Sequence, residues 1–130
     1  MVHERKRHEL DSIKKIAKKI SLIELKTQLG LGTIADNKLA TVIKYTQDSF
    51  ILEWAVKHRS AKIRAAATEN LYLPINLYAF RGLFLTTSTE RIAYEKVLHV
   101  RRKQLEQLFA TVIASYPQLN FIFSENDINT

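Results

Sequence analysis

Apolar side chains recur along this chain at intervals of three and four residues, which is the period of an amphipathic α-helix. Near the N-terminus, Leu10, Ile13 and Ile20 share one side, while most of the neighbouring lysines fall on the other. Near the C-terminus the same spacing is carried by Leu105, Leu108, Phe109 and Val112. No Asn-Gly or Asp-Gly pair separates two alternating apolar runs, so a β-hairpin signal is absent. The pattern therefore predicts an all-α protein built from short helices.

Residues that favour helix starts divide the chain into segments. The predicted starts are Ser21, Asp36, Asp48, Ser60, Pro74 and Thr87. Ser21 with Glu24, and Thr87 with Glu90, have the spacing of a capping box, in which the hydroxyl accepts a hydrogen bond from the third backbone amide. Gly30 is expected to end the helix that Ser21 opens, because glycine adopts the left-handed conformation of a helix end easily.

The second half of the chain shows an internal repeat. A shift of 28 positions places three residues on similar ones, Ala65 on Ala93, Leu77 on Leu105 and Phe80 on Leu108. Each unit reads as a helix of small residues, a short turn and a helix of larger residues. In the second unit we expect the turn just before a last helix over 102–115, which Pro117 ends. Two short helices cannot bury their apolar faces alone, so a stack of such units is expected.

Residues 48–83 carry a recognisable order of features: an Asp-led helix, a polar turn, an aliphatic-Arg pair, an Ala-rich helix, Asn, a Leu-Pro turn and a Leu-rich helix. The matching residues are Asp48, Ile63, Arg64, Ala65, Ala66, Ala67, Asn70, Leu73, Pro74 and Leu77. This order resembles the variant leucine-rich and HEAT-like α-helical repeats. The next unit fits more loosely, since Arg91 and Ile92 are swapped, Leu98 replaces the asparagine and Arg102 the proline. The resemblance implies an α-solenoid-like stack of short helices and no particular activity.

The physical basis of this order can be read from the residues themselves. Small side chains at residues 65–67 allow a helix to lie close to its neighbour. Asn70, near a predicted helix end, can bond to backbone groups that the helix leaves unpaired. Arg64 either bonds to such backbone groups as well or faces solvent.

Composition bounds the class of protein. The chain has 130 residues, 20 Lys and Arg against 13 Asp and Glu, a formal net charge of +7 and no cysteine. The length predicts a single helical-repeat domain over 1–130, with a basic helix over 1–20 and a tail over 117–130. The absence of cysteine excludes disulfides, thiolate metal sites and cysteine nucleophiles. The N-terminus lacks a signal-peptide core and the longest uncharged stretch, 107–124, contains proline and polar residues, so we expect a cytoplasmic protein without a membrane span.

Catalytic motifs are absent from the sequence. It contains no glycine-rich phosphate loop, no HExxH and no GxSxG. Glu95 and His99 stand four residues apart, as in half of a metal site, but no second pair supports them and a surface pair is the alternative. We therefore expect a protein that is not an enzyme and that uses no cofactor and no metal.

The positive charge is concentrated in blocks. The candidate binding residues are Lys57, Arg59, Lys62, Arg64, Arg101, Arg102 and Lys103, with Lys96 and His99 just before the second group. A third block on the N-terminal helix contains Lys14, Lys15, Lys18 and Lys19. The first two blocks fall at predicted turns or helix starts, and turns one repeat apart line up along one edge of a solenoid. Such a stripe predicts binding of nucleic acid through its phosphate backbone, with an acidic protein partner or simply a solvated face as alternatives.

Three other interpretations stay open. A helix-turn-helix with Gly30 in its turn is one of them, although Lys26 and Asp36 stand where the motif needs small or aliphatic packing residues. Trp54 is expected in the core. If it instead lay exposed beside the 57–64 block it would stack bases, as in the HEAT-like alkylpurine DNA glycosylases, whose catalytic residues have no match here. The end helices lack polar outer faces, which favours self-association into a homo-oligomer.

Overall fold

The computed structural model of this protein describes residues 2–116, except for the side chains of residues 2–7 and 36. This part of the chain forms seven α-helices and no strand, which confirms the all-α prediction. The helices are α1 (Val2–Lys19), α2 (Leu22–Gly30), α3 (Asp36–Tyr45), α4 (Ser49–Ala55), α5 (Ala61–Glu69), α6 (Ile75–Arg81) and α7 (Ser88–Ser115). The tail over 117–130, for which the sequence predicts a short extended segment, lies outside the described residues.

The odd-numbered helices contact one another in chain order. α1 packs against α3, α3 against α5, and α5 makes the most extensive contact of all with α7. α4 packs on α3 and α5, and α6 packs on α7. The core between them includes Ala17, Leu25, Leu39, Ile43, Ile51, Leu52, Ile63, Ala67, Leu73 and Tyr78. Ala65 and Ala67 are buried on α5, and their small side chains allow the close approach of α5 to its neighbours.

Two helix caps form as the sequence predicts. At the start of α2, Oγ of Ser21 accepts the backbone N–H of Glu24 at 3.2 Å. At the start of α4, Oδ1 of Asp48 accepts the N–H groups of Phe50 and Ile51 at 2.8 and 3.2 Å. Each cap satisfies donors that the first helical turn leaves without an intrahelical partner. Both depend only on residues within one turn of each other, so the local sequence is enough to specify them.

Three other helix ends agree with the prediction only in part. Asp36 is the first residue of α3 and Ala35 holds the capping position. Ser60 holds the capping position of α5 but makes no capping hydrogen bond with its side chain. α2 continues through Gly30, and the left-handed residue is Gly32, with φ of 71°. The helix therefore ends at Gly30 as predicted, whereas the left-handed conformation lies two residues later, at Gly32.

α7 is one continuous helix, so the turn predicted before residue 102 is wrong. Residues 96–103 contain neither Gly nor Pro, and their Lys, Arg and Leu side chains favour the helical conformation. Arg101, in the middle of this stretch, bonds to backbone carbonyls at the α5–α6 connection and fixes α7 there. The second repeat unit therefore has no turn between its two halves.

Two of the phenylalanines that follow Pro74 are about half exposed. Phe80 and Phe84 are 56% and 49% exposed, and their ring centroids lie 4.8 Å apart. Trp54, by contrast, packs against the core and meets the ring of His58 edge-on at 5.4 Å. Trp54 thus lies at the edge of the core, as the sequence predicts.

Candidate functional site

Arg101 lies inside the protein. The residue is 2% exposed, and its Nη2 donates hydrogen bonds to the carbonyl oxygens of Asn70 at 2.9 Å and Leu73 at 2.6 Å. Its Nη1 donates to Oε1 of Gln104 at 3.1 Å, and its guanidinium carbon lies 5.1 Å from the ring centre of Tyr78. Burial lowers the pKa of Arg101, and the ring of Tyr78 acts in the opposite direction. Arg101 is therefore an interior residue, and it does not lie on the surface where the sequence analysis placed it.

Glu90 is fully buried beside two arginines. Arg64 donates to its two carboxylate oxygens from Nε at 3.2 Å and from Nη2 at 2.8 Å, which is the bidentate geometry that arginine prefers. Nη2 of Arg81 donates to the same carboxylate. The hydroxyls of Thr86 and Thr87 also donate to it, at 3.2 and 2.9 Å. We call Arg64, Arg81 and Glu90 the buried arginine cluster.

The charged groups within this cluster shift one another's pKa values. The hydrogen bond from Arg64 is the main cause of a pKa of Glu90 below its ordinary value, against the opposing effect of burial. The same hydrogen bond raises the pKa of Arg64. Oγ1 of Thr87 accepts the N–H of Glu90 at 3.3 Å, so the cap predicted for α7 forms while the carboxylate itself turns to the arginines. Two guanidinium groups share one carboxylate, which leaves one positive charge in excess.

Arg64 is thus committed to the interior in the same way as Arg101, with 18% of its side chain exposed. These two are the predicted binding residues that the fold uses for its own contacts. The others are exposed: Lys57, Arg59, Lys62, Arg102 and Lys103.

One lysine from each odd-numbered helix contributes to a connected surface, which we call the lysine surface. Its members are Lys14 of α1, Lys44 of α3, Lys62 of α5 and Lys96 of α7. The Nζ atoms of Lys44 and Lys96 lie 4.0 and 2.5 Å from the same carboxylate oxygen of Glu69. The Nζ atoms of Lys14 and Lys44 lie 4.7 and 5.9 Å from the ring centre of Tyr45. Glu69 and Tyr45 therefore connect lysines that are far apart in the sequence.

A groove of about 420 Å³ lies between α3 and α5 within this surface. Lys44 and Lys62 line it, together with Glu69 and, from the start of α7, Thr89. Nζ of Lys62 donates to Oδ1 of Asn37, which connects α5 to α3 across the groove. The hydrogen bond to Glu69 raises the pKa of Lys96, so this lysine stays charged well above neutral pH. Among the described side chains that line the groove, Glu69 is the one carboxylate, so positive charge predominates.

Lys62 is among the candidates predicted from the sequence, Lys14 belongs to the third basic block and Lys96 precedes the second, but Lys44 was not predicted. Lys44 stands alone between Ile43 and Tyr45, so it belongs to no basic block. The helical spacing of α3 places it opposite the apolar face, which predicts exposure and nothing more. Its proximity to Lys96 depends on the packing of α3, α5 and α7.

The other exposed candidates make no contact with the lysine surface among the bonds that residues 2–116 form. Lys57 forms a loose ion pair with Glu53 at 4.0 Å and lines a different cavity. Within the described part of the chain, no hydrogen bond or ion pair joins Arg59, Arg102 or Lys103 to the lysine surface. The structure thus brings together single lysines from different parts of the chain, Lys44 among them, rather than whole basic blocks.

Metal and membrane sites are not found in residues 2–116. No group of three or more His, Cys, Asp or Glu side chains in this part of the chain is placed to hold a metal ion, and Glu95 and His99 are simply exposed. None of its helices combines the length and the apolar character that crossing a membrane requires. No protein-family model, curated protein or solved structure matches the chain.

Proposed function

We propose that this protein binds nucleic acid through the phosphate backbone, with the lysine surface as its contact. The observation that carries the proposal is that lysines from four helices connect along one surface. Lys44 and Lys96 share the carboxylate of Glu69, Lys62 lines the same groove as Lys44, and Lys14 lies with Lys44 over the ring of Tyr45. Ammonium groups neutralise phosphates and release counterions, which is the main source of sequence-independent affinity.

The arrangement favours backbone contact over base reading. Lysine is a compact point charge on a flexible stem, whereas bidentate reading of base edges is performed mainly by Arg, Asn and Gln. Two of the arginines among the candidate binding residues, Arg64 and Arg101, are engaged inside the fold. We therefore expect binding that depends little on nucleotide sequence.

The proposal includes the finer architecture that the sequence resemblance implies. We infer a solenoid-like stack in which α1, α3, α5 and α7 are successive equivalent helices. Their contacts in chain order support this inference. In such a stack, successive helices lie side by side, so side chains from all four helices can contribute to one surface.

The decisive experiment compares two triple variants that lose the same charge. The first, Lys44→Ala with Lys62→Ala and Lys96→Ala, removes three members of the lysine surface. The matched control, Lys57→Ala with Arg59→Ala and Arg102→Ala, removes three exposed cations elsewhere. Fluorescence anisotropy with a labelled duplex, a labelled single strand and a range of salt concentrations measures affinity, and circular dichroism checks the fold. These surface substitutions are expected to change stability by about 1 kcal/mol or less.

We expect the first variant to lose at least about tenfold in affinity at low salt and the control to lose much less. For the wild type, the slope of log K against log salt on duplex DNA is expected at about −3.6, because four lysines neutralise four phosphates. In the first variant, which keeps only Lys14 of this surface, the slope is expected at about −1. Equal losses of affinity in both variants would show that binding depends on net charge alone and not on the lysine surface. Failure of every nucleic acid to bind the wild type at low salt would overturn the proposal, and an acidic protein partner would then take its place.

A further inference from the structure

A second cavity lies away from the lysine surface, between the end of α4 and helix α6. Its volume is about 310 Å³, within the usual range of small-ligand pockets. Its lining residues are Val56, Lys57, Asn76, Leu77, Phe80 and Arg81. Most of its surface is apolar, and both of the charged residues that line it are cations.

The charge of Arg81 is only partly neutralised. Arg81 shares the carboxylate of Glu90 with Arg64, so the buried arginine cluster has one positive charge more than it has negative charge. Arg81 is 7% exposed, and its Nε has no hydrogen-bond partner among the described residues. A buried guanidinium with an unused donor is costly, and a nearby anion lowers that cost.

Lys57 supplies the second positive charge at the mouth of the cavity. Its pairing with Glu53 is loose, at 4.0 Å, and both side chains are exposed. An exposed pair of this kind contributes little energy, so the ammonium group is free to turn toward a ligand. Phe80, which is 56% exposed, forms an apolar wall that a ligand would cover.

We propose that this cavity binds a small carboxylate with an apolar body, such as a medium-chain or aryl-substituted acid. The carboxylate lies toward Lys57 and Arg81, and the hydrocarbon lies against Leu77 and Phe80. One anionic group matches the single excess charge of the buried arginine cluster, whereas a dianion would lose more hydration on entering so apolar a site. The site is separate from the lysine surface, so this proposal stands independently of nucleic-acid binding.

Isothermal titration calorimetry with octanoate tests the proposal, with octan-1-ol as the probe that keeps the chain and removes the charge. We expect saturable binding of one octanoate per chain and binding of octan-1-ol weaker by at least about fivefold. Lys57→Ala is expected to weaken octanoate binding by about fivefold, while Arg59→Ala, which removes a nearby exposed charge outside the cavity, leaves it unchanged. Phe80→Ala weakens it as well, in contrast to Phe50→Ala on an unrelated exposed surface. Octanoate should also raise the unfolding temperature of the wild type.

Several results would overturn this assignment. Absence of saturable binding up to about 10 mM octanoate would overturn it, because the affinity would then be too weak for a specific site. Equal binding of octanoate and octan-1-ol would reduce the cavity to an apolar surface without anion recognition. Equal behaviour of Lys57→Ala and Arg59→Ala, or of Phe80→Ala and Phe50→Ala, would place the ligand elsewhere.

Discussion

Arg101 donates a hydrogen bond of 2.9 Å to the carbonyl oxygen of Asn70, the residue whose own side chain closes the end of α3. Nδ2 of Asn70 lies 2.9 and 2.8 Å from the carbonyl oxygens of Ile43 and Thr46, and its Oδ1 accepts the N–H of Tyr72 at 2.8 Å. Carbonyls at a helix C-terminus lack intrahelical donors and need such partners. The end of α3 is thus satisfied by the end of α5, and the end of α5 by α7.

Arg101→Met is expected to lower the free energy of unfolding by about 3 kcal/mol. Methionine keeps much of the apolar stem, but the buried carbonyls of Asn70 and Leu73 lose the donor that Arg101 supplies. Urea unfolding followed by circular dichroism measures the change. The adjacent Arg102→Met is the control, because Arg102 is exposed, and its effect should stay within about 0.5 kcal/mol. Similar values for the two variants would contradict the structural role of Arg101.

Glu90→Gln is expected to destabilise the protein at pH 7 by about 3 kcal/mol, because it leaves Arg64 and Arg81 without their shared anion. The pKa of Glu90 is lower in the folded chain than in the unfolded chain, so its carboxylate stabilises the fold above the unfolded pKa. That stability is lost as the pH falls through the folded pKa.

The difference between wild type and Glu90→Gln should therefore be largest near neutral pH and shrink as the pH falls below about 4.5. Urea unfolding at a series of pH values measures it. Glu95→Gln changes an exposed carboxylate on the same helix and serves as the control. A difference that stays constant down to about pH 3 would contradict the ion-pair explanation.

Gly82→Ala tests a close approach between the C-terminal end of α6 and helix α7. A Cβ at residue 82 would lie 2.7 Å from Oη and 2.9 Å from Cζ of Tyr94, whose ring stacks on Tyr78 with centroids 4.4 Å apart. Displacing this ring is expected to cost about 1–3 kcal/mol. Gly30→Ala is the control, because a Cβ there meets nothing within 4 Å. Thermal unfolding should show a lower midpoint for Gly82→Ala and an unchanged or higher one for Gly30→Ala; the reverse order would contradict the contact.

Glu69→Gln is expected to raise affinity for a nucleic-acid duplex by about threefold at low salt. The substitution removes the carboxylate that Lys44 and Lys96 share, so both ammonium groups become available to phosphate. Anisotropy titrations measure the gain, which should disappear at about 0.5 M salt because of screening. Glu106→Gln removes an equal charge outside the lysine surface and should give a smaller gain. An equal gain would show that overall charge, and not this surface, governs binding.

The local sequence determined what is decided within one helical turn. The helical period and the caps at Ser21 and Asp48 depend on residues at most four positions apart. The turn predicted before residue 102 is wrong, because the repeat spacing indicates a break where the residues themselves favour a helix.

Only the tertiary structure decided which charges face water and which surfaces they share. Arg64 bonds to Glu90, 26 residues away, and Arg101 bonds to Asn70, 31 residues away. The burial of these arginines therefore cannot be predicted from the basic blocks in which they stand. Lys44 and Lys96 meet at Glu69 for the same reason. A guanidinium group carries the same charge on the surface and in the interior. It is buried only where a partner, here one distant in sequence, offsets the hydration that it loses. The sequence therefore determined the helices and the excess of positive charge, while the packing of α3, α5 and α7 decided where that charge lies.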